Sequence, residues 1–89
     1  MNCHELKCWP SYFIFVWAGT KKFEIRKNDR NFQAGDMIIL KEWDPETEEY
    51  TGRELHGYIN CVVLDCIGLD KDYCVFGFTS HEKRGTNIH

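Results

Sequence analysis

Between Tyr12 and Asp36 the chain changes local pattern three times, and this constrains its fold more than any other stretch. An apolar run, Tyr12 to Ala18, follows Pro10 and ends at Gly19. Proline suits the first turn of a helix, having no amide hydrogen to lose, and glycine enters the left-handed turn that closes one. Phe13, Val16 and Trp17 fall at helical spacing, so the run is expected to form a short helix. Residues 22–27 then alternate, with Phe23 and Ile25 pointing one way and Lys22, Glu24 and Arg26 the other, which is the period of a strand. Asn28-Asp29 is a turn pair, and Gly35-Asp36 introduces the apolar run Met37-Ile38-Ile39-Leu40.

The rest of the chain reads as strands and turns. Residues 3–8 form a short first strand with His4, Leu6 and Cys8 on one side. Residues 36–43 read as a buried strand, 44–49 as a polar connection and Tyr50-Thr51-Gly52-Arg53 as a turn. Leu55 to Leu64 is a long strand, in which His56, Tyr58, Asn60 and Val62 face oppositely to Leu55, Gly57, Ile59, Cys61 and Val63. Tyr73 to Thr79 is the last strand. Phe32, alone in its loop, is expected to anchor the core. The expected fold is α+β and mostly β: about five strands with one helix after the first, curled into a small closed or nearly closed barrel. Residues 1–79 make one domain, and the polar residues 80–89 are expected to fray.

Charge is unevenly spread. Lys21, Lys22, Arg26, Lys27 and Arg30 face only Glu24 and Asp29 within residues 21–30, a local +3 in a chain of net charge −3. The remainder therefore sums to −6. Six acids between Glu42 and Glu54 against one arginine would turn a polyanion away from that end. A strong RNA binder commonly has a pI above about 9; the value here is about 5.7, so any such binding is expected to be weak or confined to one pocket.

Five cysteines show no framework spacing. Reduced thiols in a cytoplasmic protein account for them, and no metal site or cofactor is expected. Cys61 and Cys74 lie in apolar runs, where a thiol serves as a small hydrophobe. The longest apolar run is far short of the ~20 residues that a spanning helix needs, so no membrane association is expected.

The pattern Gly19-x-Lys21-x-x-Glu24-x-Arg26 resembles the signature of the ASCH domain, a small β-barrel of the PUA-like superfamily. His4-Glu5-Leu6-Lys7, Asn28-Asp29-Arg30, Phe32, Gly35-Asp36, Glu42-Trp43-Asp44-Pro45, Gly68-Leu69 and Tyr73 extend the resemblance over roughly residues 4–79. It looks like a small bacterial and phage branch of unassigned function. The resemblance implies a cleft beside the early helix that takes RNA, a nucleotide or a modified nucleoside, lined here by Lys7, Lys21, Glu24, Arg26 and Arg30. Chemically, Lys21, Arg26 and Arg30 suit phosphates, whereas Glu24 suits a base edge or a sugar hydroxyl. The competing role for Glu24 is a structural ion pair with Arg26 or Lys22.

Two other functions stay open. Some ASCH relatives hydrolyse an amide on a modified cytidine, and others have been linked to RNA cleavage; Lys21 and Glu24 would be the acid–base pair of such an enzyme. Where the amidase branch carries its threonine nucleophile, this chain has Glu24. His4 and His56 read as ordinary strand residues. The third possibility is a protein-interaction module, with the aromatic helix Tyr12 to Trp17 docking a partner or a second copy.

Overall fold

The structure, a computed structural model, describes residues 1–85. Its elements run β1 (Cys3–Cys8), α1 (Pro10–Ala18), β2 (Phe23–Lys27), β3 (Met37–Asp44), β4 (Glu49–Val63) and β5 (Tyr73–Arg84). The strands form a single sheet in the order β1-β3-β4-β5-β2, curled into a half-barrel. Of these pairings only β1 with β3 is parallel; the other three are antiparallel.

The helix forms where its boundaries require. Pro10 occupies the first turn, the Trp9 carbonyl accepts from the amides of Tyr12 and Phe13, and Gly19 adopts φ 83°. The amides of Thr20 and Lys21 both return to the Phe15 carbonyl, so the chain reverses tightly into β2. Phe13 and Val16 are buried beneath the helix and Trp17 packs against the same cluster. Tyr12, Ile14 and Phe15 stay exposed on its outer side.

Strand periodicity places Leu6 and Cys8 of β1, Ile38 and Leu40 of β3, Leu55 and Ile59 of β4, and Cys74, Phe76 and Phe78 of β5 in one core. Phe32 joins them against Phe76, as its isolation among polar residues predicts. Beside it, His4 meets Phe32 edge-on and its Nε2 lies 2.8 Å from Asp36 Oδ2. Asp36 also accepts from the Gln33 and Asn2 amides, so one carboxylate fixes the approach to β3.

Three parts of the sequence reading are corrected. Tyr50-Thr51-Gly52-Arg53 is strand, not turn: β3 and β4 are joined at residues 45–48, and β4 starts at Glu49. The longer β4 needs a partner along its first half, which β5 supplies by continuing past Thr79 to Arg84, paired from Ser80 onward with Gly57 to Glu54. The strand thus enters the tail that polarity alone marks as frayed, and residues 86–89 of that tail lie outside the described residues.

Cys61 is the third correction. Ile59 pairs with Phe78 and Cys61 with Gly77, leaving Asn60 as an extra residue in β4. A bulge reverses the alternation beyond it, so Cys61 is exposed while Val62 packs on the core. Gly77 makes room for the bulge, since a Cβ there would stand 2.8 Å from Asn60 Oδ1.

Gly57 lies at a second irregularity, where β5 carries the extra residue. A Cβ at Gly57 would collide with the Thr79 carbonyl oxygen, a backbone atom that cannot swing aside. Gly57→Ala is expected to cost about 2 kcal/mol by overpacking. Chemical denaturation with urea would read this as a lower midpoint at unchanged slope.

Candidate functional site

In β2 the side chains face opposite to simple hydrophobic patterning. Phe23 and Ile25 are 46% and 57% exposed, whereas Glu24 is only 4% exposed. Two cations make this arrangement stable. Lys21 Nζ lies 3.0 Å from Glu24 Oε2, and Arg26 places Nε and Nη2 at 3.1 and 3.0 Å from Oε1. A buried carboxylate is tolerated only when paired and hydrogen-bonded. The tight turn after Gly19 brings Lys21 back, and the strand period puts Arg26 on the same side as Glu24. The ion pair anticipated with Arg26 therefore forms, and Lys21 takes the place considered for Lys22.

Arg26 also fastens the sheet's open edges. Its Nη2 donates to the Lys7 carbonyl at 2.7 Å, and Arg30 Nη1 donates to the Glu5 carbonyl at 2.7 Å. Carbonyls two residues apart point to the same side of a strand. Two side chains from β2 and its following loop thus serve the free edge of β1, in place of a hydrogen-bond ladder.

Glu24 and Cys8 lie on the floor of a cleft of about 600 Å³, walled by Trp9, Tyr12, Ile25 and Tyr73. Lys7, Lys21, Arg26 and Lys27 also line it, four cations against one carboxylate. This is the locally basic ground that the uneven charge predicts. Lys21 Nζ stands 5.7 Å from the Tyr12 ring centroid and 5.5 Å from that of Phe23. Lys7 Nζ lies 4.4 Å over the Trp43 ring.

Of the residues singled out from the sequence, Lys7, Lys21, Glu24 and Arg26 line this cleft together. Arg30 does not; it lines a smaller neighbouring depression with Arg26 and Lys27. His4 and His56 are also elsewhere, the latter bonded to Glu54 at 2.9 Å. Sequence reasoning missed Cys8, Trp9, Tyr12, Ile25, Lys27 and Tyr73 as cleft residues. Trp9 could have been found as an apolar residue just outside the helix. Tyr73 carries no local signal, because only the pairing of Lys27 with Tyr73 across β2 and β5 brings it here.

Besides Glu24 and Asp36, a third buried carboxylate lies at the far side of Cys8. Glu42, inward-facing on β3, accepts from Thr51 Oγ1 at 2.6 Å and from Arg53 Nε and Nη2, both at 2.8 Å. The Arg53 guanidinium lies against the Phe13 and Trp17 rings of α1. Glu42 is therefore internal to the fold, and only its neighbours give that end an acidic surface. Burial pushes the Cys8 thiol up to about 11, with the Glu24 carboxylate adding to the effect. Cys8 and Cys74 are expected to resist a thiol-specific alkylating reagent in the native protein, while Cys3, Cys61 and Cys66 react. Mass mapping before and after unfolding would check this, and early labelling of Cys8 would contradict it.

Among the described residues no group of His, Cys, Asp and Glu is arranged to hold a metal ion. No helix among them is long and apolar enough to cross a membrane.

Fold and cleft together define a small, mostly β domain with a clamped carboxylate on the floor of its cleft. A family described as a domain of unknown function (DUF3850) matches residues 3–78, and the chain belongs to that family. It is 42% identical over 59 residues to the "Uncharacterized 12.9 kDa protein in GpA 3'region" of Escherichia phage P2. The match covers 66% of this chain and 52% of the phage protein, so the chain spans about half the length of that relative.

Proposed function

We propose that this domain is an ASCH-type module of the PUA-like superfamily and that its cleft binds a base of single-stranded RNA or of a nucleotide. The observation that carries this reading is Glu24, buried between Lys21 and Arg26 on the floor of an aromatic-walled, cation-rimmed cleft. Trp9, Tyr12 and Tyr73 offer flat apolar surfaces on which an unstacked base can lie. Among the described residues Oε2 receives only Lys21, which leaves it acceptor capacity for a ligand N–H or sugar hydroxyl. Lys27 has no side-chain partner among the described residues and is available to a phosphate. Lys21 and Arg26 are committed to Glu24, which favours binding over acid–base chemistry for the trio.

The test is one incubation with end-labelled single-stranded RNA, divided between native and denaturing gels over a salt series. The expected result is a salt-weakened native shift with intact RNA, lost in Tyr12→Ala. Each phosphate contact contributes a log–log salt slope of about −0.7, so a shallow slope is expected from this small cationic rim. Shortened RNA, restored to full length by Lys21→Ala, would replace binding by hydrolysis with Lys21 and Glu24 as its acid–base pair. Absence of any shift would overturn the reading in favour of a protein partner or second copy on the outer side of α1, where Ile14 and Phe15 are exposed and do not line the cleft.

A further inference from the structure

A second depression, of about 270 Å³, lies on the other side of Lys21. It is lined by Lys21, Lys22, Asn60, Thr79 and Ser80 over a base of Val16 and Phe78, with Gly19 at its margin, and no acidic residue contributes. Its polar groups come together for local reasons. The Asn60 bulge turns that side chain outward, and Asn60 Nδ2 donates to Thr79 Oγ1 at 3.0 Å. That bond uses Thr79 as an acceptor and leaves its hydroxyl proton free to donate. The Phe78 amide bonds the Lys22 carbonyl at 3.0 Å, which holds Lys22 beside β5. Lys22 itself has no side-chain partner among the described residues, and neither does the Ser80 hydroxyl.

Two hydroxyl donors and an unpaired ammonium, with no carboxylate in the lining, make a pocket for a small anion. At about 270 Å³ it is less than half the volume of the main cleft, about 600 Å³. Because Lys21 lines both depressions, a ligand with its base in the main cleft reaches the second one across that side chain.

We infer that the second depression is a phosphate subsite, so that the preferred ligand is a single-stranded oligonucleotide spanning Lys21 and not a free nucleoside. The inference rests on the proposed base-binding role of the main cleft. A phosphodiester places its charge one sugar away from each base, and the two depressions adjoin at Lys21, which lines both. The partial overlap also gives Lys21 two roles: counter-ion to Glu24 and divider between base and phosphate.

The experiment is a set of titrations of the full chain, followed by tryptophan fluorescence. The probes are the four nucleosides, their 5′- and 3′-monophosphates, the corresponding homodinucleotides and inorganic phosphate. One charge-assisted hydrogen bond to an added phosphate corresponds to roughly tenfold in affinity. The expected result is a dinucleotide, or one of the two monophosphate series, binding about tenfold tighter than its nucleoside. Lys22→Gln and Thr79→Val should each remove most of that advantage and leave nucleoside binding unchanged. Lys22 is exposed and unpaired, so its variant will fold; an unchanged urea midpoint verifies this. Equal affinity for nucleoside and dinucleotide, or an advantage unaffected by both variants, overturns the phosphate subsite while the base cleft stands. Inorganic phosphate competing at one site without affecting nucleoside binding supports the subsite. No binding by any nucleoside or nucleotide overturns both readings together.

Discussion

Replacing Arg53 with alanine is expected to destabilise the fold by about 3–5 kcal/mol, the cost of stranding a buried charge. Glu42 is 3% exposed and takes three hydrogen bonds, two of them from Arg53. Without the guanidinium only Thr51 remains to it among those contacts. The same change removes the cation lying against Phe13 and Trp17, so α1 loses part of its seat. Small domains are stable by only about 5–15 kcal/mol, and the variant should be partly unfolded at 37 °C. Arg53 holds the Glu42 carboxyl below its ordinary value of 4.5. A carboxyl lowered in the folded state contributes stability that is present above its unfolded value and lost as pH falls through the folded one. The gap between parent and variant should therefore be full at neutral pH and shrink below 4.5, where a protonated Glu42 no longer needs a counter-ion. Urea melts at several pH values would measure it, and a gap independent of pH would show that Arg53 acts by packing alone.

Arg26→Ala is expected to have the second largest effect, because it acts on the site and on the sheet edge at once. It deprives Glu24 of a two-nitrogen contact and releases the Lys7 carbonyl. Lys21 remains, and the Arg26 side chain is 24% exposed, so water offsets part of the loss. About 2–3 kcal/mol is expected from hydrogen bonds to charged groups of this kind. The proposed binding of RNA or a nucleotide should fall at least tenfold. Arg26→Lys should restore charge but not the planar fork, leaving both defects partly in place. Hydrogen exchange offers a further readout: amides of β1 and β2 should exchange faster in Arg26→Ala while those of β4 do not. Uniform acceleration would mean that Arg26 does not fasten the edges.

The sequence by itself determined the elements whose signals are local. Pro10 and Gly19 bound the helix because one lacks an amide hydrogen and the other accepts φ 83°. Alternation in 3–8 put His4, Leu6 and Cys8 on one side, and all three are buried. The Glu24–Arg26 ion pair was legible, because strand period sets the two on one side, whereas Lys21 holds the place that the sequence offered to Lys22. The order of strands was not legible, because β1 finds β3 and β2 finds β5 only through contacts distant along the chain.

Tertiary structure decided the rest. It turned Phe23 and Ile25 outward and Glu24 inward, against the usual preference, because Lys21 and Arg26 meet the carboxylate only inside the curl. It exposed Cys61 through a single-residue bulge, which no periodicity announces. It carried β5 on to Arg84 because the long β4 offered unpaired backbone groups, whose pairing outweighs the polarity of that segment. It left Arg30 beside the cleft and brought Tyr73 into it, because hydrogen bonds across the sheet, and not position in the chain, set which side chains share a surface.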